Sequence, residues 1–155
     1  MTDLAPAEQD LTIRQGESWH AVFKLYSDAA QTVPFDATGC EIDMHIREGV
    51  ADSLASVLLA ASTRATGNGA GKITWGSYAS DNTVDEDGAD KADGIAIVDF
   101  LPADTILLTP SKRPRKGGHE TASFIYDIEV TYADGAVKCI IVGTISVPLE
   151  VTRRT

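Results

Sequence analysis

Hydrophobic and polar positions alternate along most of this chain with a period of two, not 3.6. In CEIDMHIREG, Cys40, Ile42, Met44 and Ile46 point one way while Glu41, Asp43, His45 and Arg47 point the other. That is the pattern of a half-buried strand in an antiparallel sheet. DLTIRQGESWHAVFKLYS predicts a short strand, a break at Gly16, and a longer strand with Trp19, Ala21, Phe23 and Leu25 on one face. SLASVLLAAS is a short apolar run whose period alone does not separate strand from helix, and its neighbours favour strand. GKITWGS predicts a further strand, as does GIAIVDFL, in which Ala96, Val98 and Phe100 share a face.

The C-terminal stretch YDIEVTYADGAVKCIIVGTISVPLEVTR carries the strongest alternation. Ala122, Phe124, Tyr126, Ile128, Val130 and Tyr132 fall on one face of a first strand. Val137, Cys139, Ile141, Ile145, Val147 and Val151 fall on one face of a second. A two-residue type I′ turn at Asp134-Gly135 would pair Tyr132 with Val137 and place both apolar faces on the same side.

Between the strands, SDAAQTVPFDATG is a connector punctuated by Pro34 and Gly39. PADTILLTP, with Pro at each end and an early Asp, predicts a single helical turn. Two segments break the pattern, the acidic SDNTVDEDGADKADG and the basic SKRPRKGGHE, and both read as long loops between strands. No internal repeat is visible. Seven or eight short strands with little helix predict one all-β domain over residues 1–155, an antiparallel β-sandwich with two long inserted loops. Residues 1–9 would form an extended arm and 152–155 a tail.

Charge narrows the choice of partner. The chain has 155 residues with 13 Lys and Arg against 23 Asp and Glu, a formal charge of −10. Free-standing nucleic-acid binding would need the opposite balance, because phosphates are neutralised by Lys and Arg. The start, MTDLAPAEQD, lacks the basic and apolar regions of a signal peptide. Apolar runs such as VLLAA fall far short of the roughly 18 residues that span a bilayer. These features predict synthesis and folding in a cytosol, with Cys40 and Cys139 as reduced thiols inside apolar alternation.

Chemistry is sparse. His20, His45 and His119 are scattered, no G-x-S-x-G elbow is present, and two distant cysteines do not make a zinc cluster. GNGAGK lacks the spacing of a phosphate-binding loop. No catalytic residue, cofactor site or metal site is therefore expected.

The acidic segment offers Asp81, Asp85, Glu86, Asp87, Asp90 and Asp93 to a calcium ion. Counted from Asp85, however, the EF-hand positions hold Ala89, Asp90 and Ala96 where a ligand, Gly and Glu belong, so a solvated loop is the simpler reading. Lys112, Arg113, Arg115 and Lys116 concentrate positive charge around Pro114 in an otherwise acidic chain. They are the candidate partner contacts, suited to carboxylates on a neighbouring subunit.

Taken in order, DLTIRQGESWHAVFKLY, VPFDATGCEIDMHIR and the C-terminal hairpin resemble an immunoglobulin-like domain common in tailed-bacteriophage virion proteins. They are similar to the N-terminal domain of phage baseplate upper proteins. Gln15-Gly16, Asp36 to Gly39, Ile46-Arg47, Tyr126-Asp127-Ile128, Gly143-Thr144-Ile145 and Val151-Thr152-Arg153 carry the likeness. The middle of the chain is longer than that pattern.

The resemblance implies an immunoglobulin-like sandwich and a non-enzymatic virion role, at a tail, baseplate, fibre attachment or neck. Symmetric copies would contact other phage structural proteins, without membrane or direct nucleic-acid contact. A capsid decoration protein is a close variant. A carbohydrate- or calcium-binding sandwich that recognises a host surface is the other reading, with Trp75 and Tyr78 as its aromatics.

Overall fold

Strands form where the sequence alternates. The computed structural model describes residues 6–48, 57–64, 70–110 and 121–148. Within them the chain forms β1 (Ala7–Glu8), β2 (Leu11–Thr12), β3 (Trp19–Lys24), β4 (Glu41–Glu48) and β5 (Val57–Ser62). There follow β6 (Ala70–Tyr78), β7 (Val84–Asp85), β8 (Ile95–Phe100), the helical turn α1 (Pro102–Thr105), β9 (Thr121–Thr131) and β10 (Val137–Pro148). A 3-10 turn at Lys91–Asp93 precedes β8. The two-residue strands β1 and β7 were not expected, since neither is long enough to show a period.

The chain is an all-β fold, a sandwich-like sheet that curls around one core, with strands where the alternation predicts them. Its layers are joined rather than separate. One hydrogen-bonded path runs β1-β10-β9-β4-β5-β6-β8-β3, with β2 also on β10 and β7 on β6. The sheet is mixed rather than purely antiparallel, because β1 and β2 run parallel to β10 and β5 runs parallel to β6. The β5–β6 joint has only the rungs Ala60–Ala70, Ala61–Gly71 and Ser62–Lys72. Strands on both sides of this joint share one core, including Phe23, Met44, Leu59, Ile73, Val98, Phe100, Phe124, Ile128 and Ile145. Trp19 Nε1 donates to Thr12 O at 3.1 Å, tying the β3 end of the path to the β2 edge.

β4 and the first hairpin strand behave as the sequence requires. Cys40, Ile42, Met44 and Ile46 are buried, as are Ala122, Phe124, Tyr126, Ile128 and Val130. In β8, Ile95 and Ile97 are buried along with Ala96, Val98 and Phe100. This strand lies between β3 and β6 and is covered on both faces, so simple alternation fails there.

The hairpin turn differs from expectation. Tyr132 N donates to Ala136 O at 2.8 Å, and Gly135 N donates to Tyr132 O at 2.9 Å. The loop is therefore three residues, Ala133-Asp134-Gly135, and only Gly135 has positive φ, at 89°. Asp134 Oδ1 accepts from Ala136 N instead of supporting a type I′ turn. Val137 pairs with Thr131, not Tyr132, and is 58% exposed.

Continued along β10, that one-residue slip would turn its whole apolar face to solvent. A β-bulge between Cys139 and Ile141 absorbs it. Beyond the bulge Ile141 pairs with Ile128, Ile145 with Phe124 and Val147 with Ala122, the register that the alternation predicts. All three β10 residues are buried.

A β-carbon at Gly135 would meet nothing within 4 Å. Gly135→Val should therefore cost only the strain of positive φ, on the order of 1 kcal/mol. Gly135→Asn should lose less, because Asn tolerates the left-handed region. Urea midpoints of the two variants check this, and equal losses would show that something other than φ limits the site.

Candidate functional site

The outer face of β4, β9 and β10 gathers most of the chain's concentrated chemistry. Side chains that point away from the core on β4 are Glu41, Asp43, His45 and Arg47, and on β9 they include Asp127 and Glu129. The antiparallel β4–β9 ladder pairs His45 with Asp127 and Asp43 with Glu129. His45 Nδ1 lies 3.3 Å from Asp127 Oδ1, and Arg47 Nη1 donates to Asp127 Oδ2 at 3.2 Å. Asp127 is thus held between a histidine and a guanidinium, all three partly buried. Its hydrogen bond raises the His45 pKa, against the opposing effect of burial.

Ligand atoms of His45, Asp127 and Glu129 all lie within 4.8 Å of one another. Cys139 stands opposite Glu129 across the β9–β10 ladder and so shares this face. Its thiol donates to Ile141 O at 3.6 Å. Burial, then the charges of Asp127 and Glu129, push the thiol pKa up. That is the reverse of what a nucleophilic cysteine needs, since the thiolate is the reactive form. A hollow of about 340 Å³ adjoins the face, lined by Arg47, Ile125, Tyr126, Asp127, Val142, Gly143 and Thr144.

Sequence reading did not find this constellation, and it expected no metal site. It took His45 as isolated, because Asp127 and Glu129 lie on a strand far along the chain. The signal that was present is the outward phase of both strands; the register that brings them together is a tertiary property. Cys139 was expected to face the core, and the three-residue turn is what rotates it outward.

His20 is also partnered. Nδ1 lies 2.5 Å from Asp99 Oδ1 and Nε2 lies 3.1 Å from Glu86 Oε1. The Asp99 hydrogen bond, then the Glu86 one, raise its pKa above the ordinary 6.5. A histidine that binds its proton more tightly when folded contributes stability in full below its unfolded pKa, here about 6.5. The contribution is lost as pH rises through the higher folded value. NMR titration should place the His20 ring above 6.5 and show it falling in Asp99→Asn. An unshifted ring in the unaltered chain would mean that the contact does not form in solution.

The acidic segment is ordered rather than a loop projecting freely. β7 pairs with β6, Ser77 opposite Asp85 and Tyr78 opposite Val84. Asp81 Oδ1 accepts from Thr83 N, Asp85 Oδ1 from Asp87 N, and Asp90 Oδ1 from Ala92 N. Asp93 Oδ2 accepts from Tyr78 N at 3.0 Å. These carboxylates hold turns, each with its own backbone partner.

Trp75 packs partly against the core, and the Lys24 ammonium lies 5.8 Å from the Tyr78 ring centroid. Cys40 is buried and Cys139 partly buried, both as free thiols. Lys112, Arg113, Arg115, Lys116 and His119 lie outside the described residues, as does Val151-Thr152-Arg153.

No family model matches the chain, and no curated protein is similar to it. Among solved structures it is similar to AggA, the major subunit of aggregative adherence fimbriae type I from Escherichia coli. The identity is 8% and the TM-score 0.26, over 94% of this chain and 91% of that one. A likeness at that level says nothing about what either chain contacts.

Proposed function

We propose that the chain is a non-enzymatic structural protein of a tailed-bacteriophage virion, at a tail, baseplate, fibre attachment or neck, acting through contacts between symmetric copies and neighbouring subunits. The residues that carry the family resemblance make scaffold contacts. Gln15 Nε2 donates to Thr109 Oγ1 at 2.8 Å, pinning the start of the chain to the segment after α1. Asp36 Oδ1 accepts from Thr38 N at 3.0 Å and closes the turn before β4. Tyr126 donates its hydroxyl to Gln9 O. Residues used in this way specify a shape, which is what a subunit supplies to an assembly.

The observation that carries the reading is a run of exposed apolar side chains around α1, shortly before the basic segment in sequence. Leu101, Ile106 and Leu107 are 66%, 48% and 45% exposed around α1, on a chain that is otherwise strongly acidic. Large apolar side chains left exposed this close in sequence are candidates for an interaction surface. Lys112, Arg113, Arg115 and Lys116 follow within a few residues. Exposed apolar side chains and arginines close together in sequence are the composition of a subunit interface.

The test is incorporation into particles. Arg113→Ala/Arg115→Ala should leave the isolated domain folded, because a charged segment without apolar alternation is expected from its sequence to contribute little to stability. It should also reduce the copies recovered in assembled particles, while Lys112 and Lys116 of the unaltered chain cross-link to an acidic neighbouring subunit. Full incorporation of the double variant, with no cross-link from either lysine, would overturn the reading.

A further inference from the structure

We infer that the outer face of β4, β9 and β10 is a binding site for a divalent transition-metal ion, with zinc the best chemical match. His45, Asp127 and Glu129 are its ligands; Cys139, on the same face, lies outside this mutually close set and gives its thiol to Ile141 O. The inference is independent of the virion reading.

Three donor side chains have ligand atoms mutually within 4.8 Å. A single ion at ordinary zinc–nitrogen and zinc–oxygen distances of about 2 Å spans most of that separation, and small rotamer changes supply the remainder. The donors stand on paired strands in the middle of the sheet, His45 directly opposite Asp127, so the backbone positions are fixed before any ion arrives. Preorganisation of this kind separates a site from a chance meeting of surface carboxylates.

Arg47 does not close the site. It takes Asp127 Oδ2 and leaves Oδ1 towards His45, as an outer partner that orients a monodentate ligand would. One imidazole nitrogen with two carboxylate oxygens suits zinc, cobalt or manganese better than calcium, which prefers six or more oxygens. Among these, zinc is the ion that three side-chain donors plus one open position suit best.

The experiment uses the tag-free full chain, with zinc followed by calorimetry and cobalt by absorbance. One ion per chain should bind, and His45→Gln or Glu129→Gln should each weaken it by about tenfold or more. Both variants should keep the strand circular dichroism of the unaltered chain, since neither side chain belongs to the core. Cys139→Ser should leave zinc affinity unchanged, because its sulfur lies outside the donor set. Asp85→Asn/Asp87→Asn, in the acidic segment, should leave zinc affinity unchanged.

Absence of binding, or zinc binding insensitive to H45Q and E129Q, would overturn the site. Loss of binding in the Asp85/Asp87 variant instead would place the ion in the acidic segment and equally overturn it.

Discussion

Gly143→Ala should detach the N-terminal arm from the sheet. A β-carbon on residue 143 would lie 1.9 Å from Gln9 O and 2.8 Å from Tyr126 Cε1. Neither neighbour is free to give way. Gln9 N donates to Val142 O at 3.0 Å while Gln9 O accepts the Tyr126 hydroxyl, and Tyr126 is itself buried. The arm must therefore lift, losing the rungs Ala7–Ile141 and Glu8–Val142 and the Asp10 bonds to Thr144.

Overpacking together with the lost hydrogen bonds should destabilise the fold by about 2–3 kcal/mol, read as a lower urea midpoint. A second readout is specific to the arm. Burial, then the Asp10 charge, push the Tyr126 phenol up to about 12. Spectrophotometric titration of the variant should find it back towards the ordinary 10. Unchanged stability together with an unchanged phenol would show that the arm is not seated as described.

Thr105→Val should produce the other large effect. Thr105 is fully buried at the end of α1, and its hydroxyl joins two separate segments. Oγ1 donates to Glu17 O at 2.8 Å and accepts from Gly16 N at 2.9 Å. Valine matches the shape but makes neither bond, so the Glu17 carbonyl and the Gly16 amide, both part-buried contacts, each lose this partner. The cost should be about 1–3 kcal/mol, the loss of two hydrogen bonds at once. Thr105→Ser should recover most of it. Equal losses for Val and Ser would trace the effect to packing rather than to the hydroxyl.

Gly16 and Gln15 illustrate how far a sequence can be read. The Gln-Gly pair is visible as a break between two strands, and the helical turn 102–105 is visible from its prolines and aspartate. That Gln15 and Gly16 dock on Thr109 and Thr105 is not visible, since the partners lie about ninety residues away and nothing local marks them. Alternation failed at β8, where Ile95 and Ile97 are buried by neighbours on the second face. It also failed at β1 and β7, whose pairing comes from a partner strand rather than from their own two residues.

The hairpin draws the line most clearly. Alternation by itself determined that Phe124, Ile128, Ile145 and Val147 face the core, because burying an apolar face outweighs local turn preference. It also determined the outward phase of His45, Asp127 and Glu129. Only the tertiary structure decided that the loop has three residues, that a bulge at Cys139–Ile141 restores the phase, and that Cys139 turns outward. The physical reason is that strand phase is encoded residue by residue. Register is set by which loop and which bulge let two distant strands bury their faces at once.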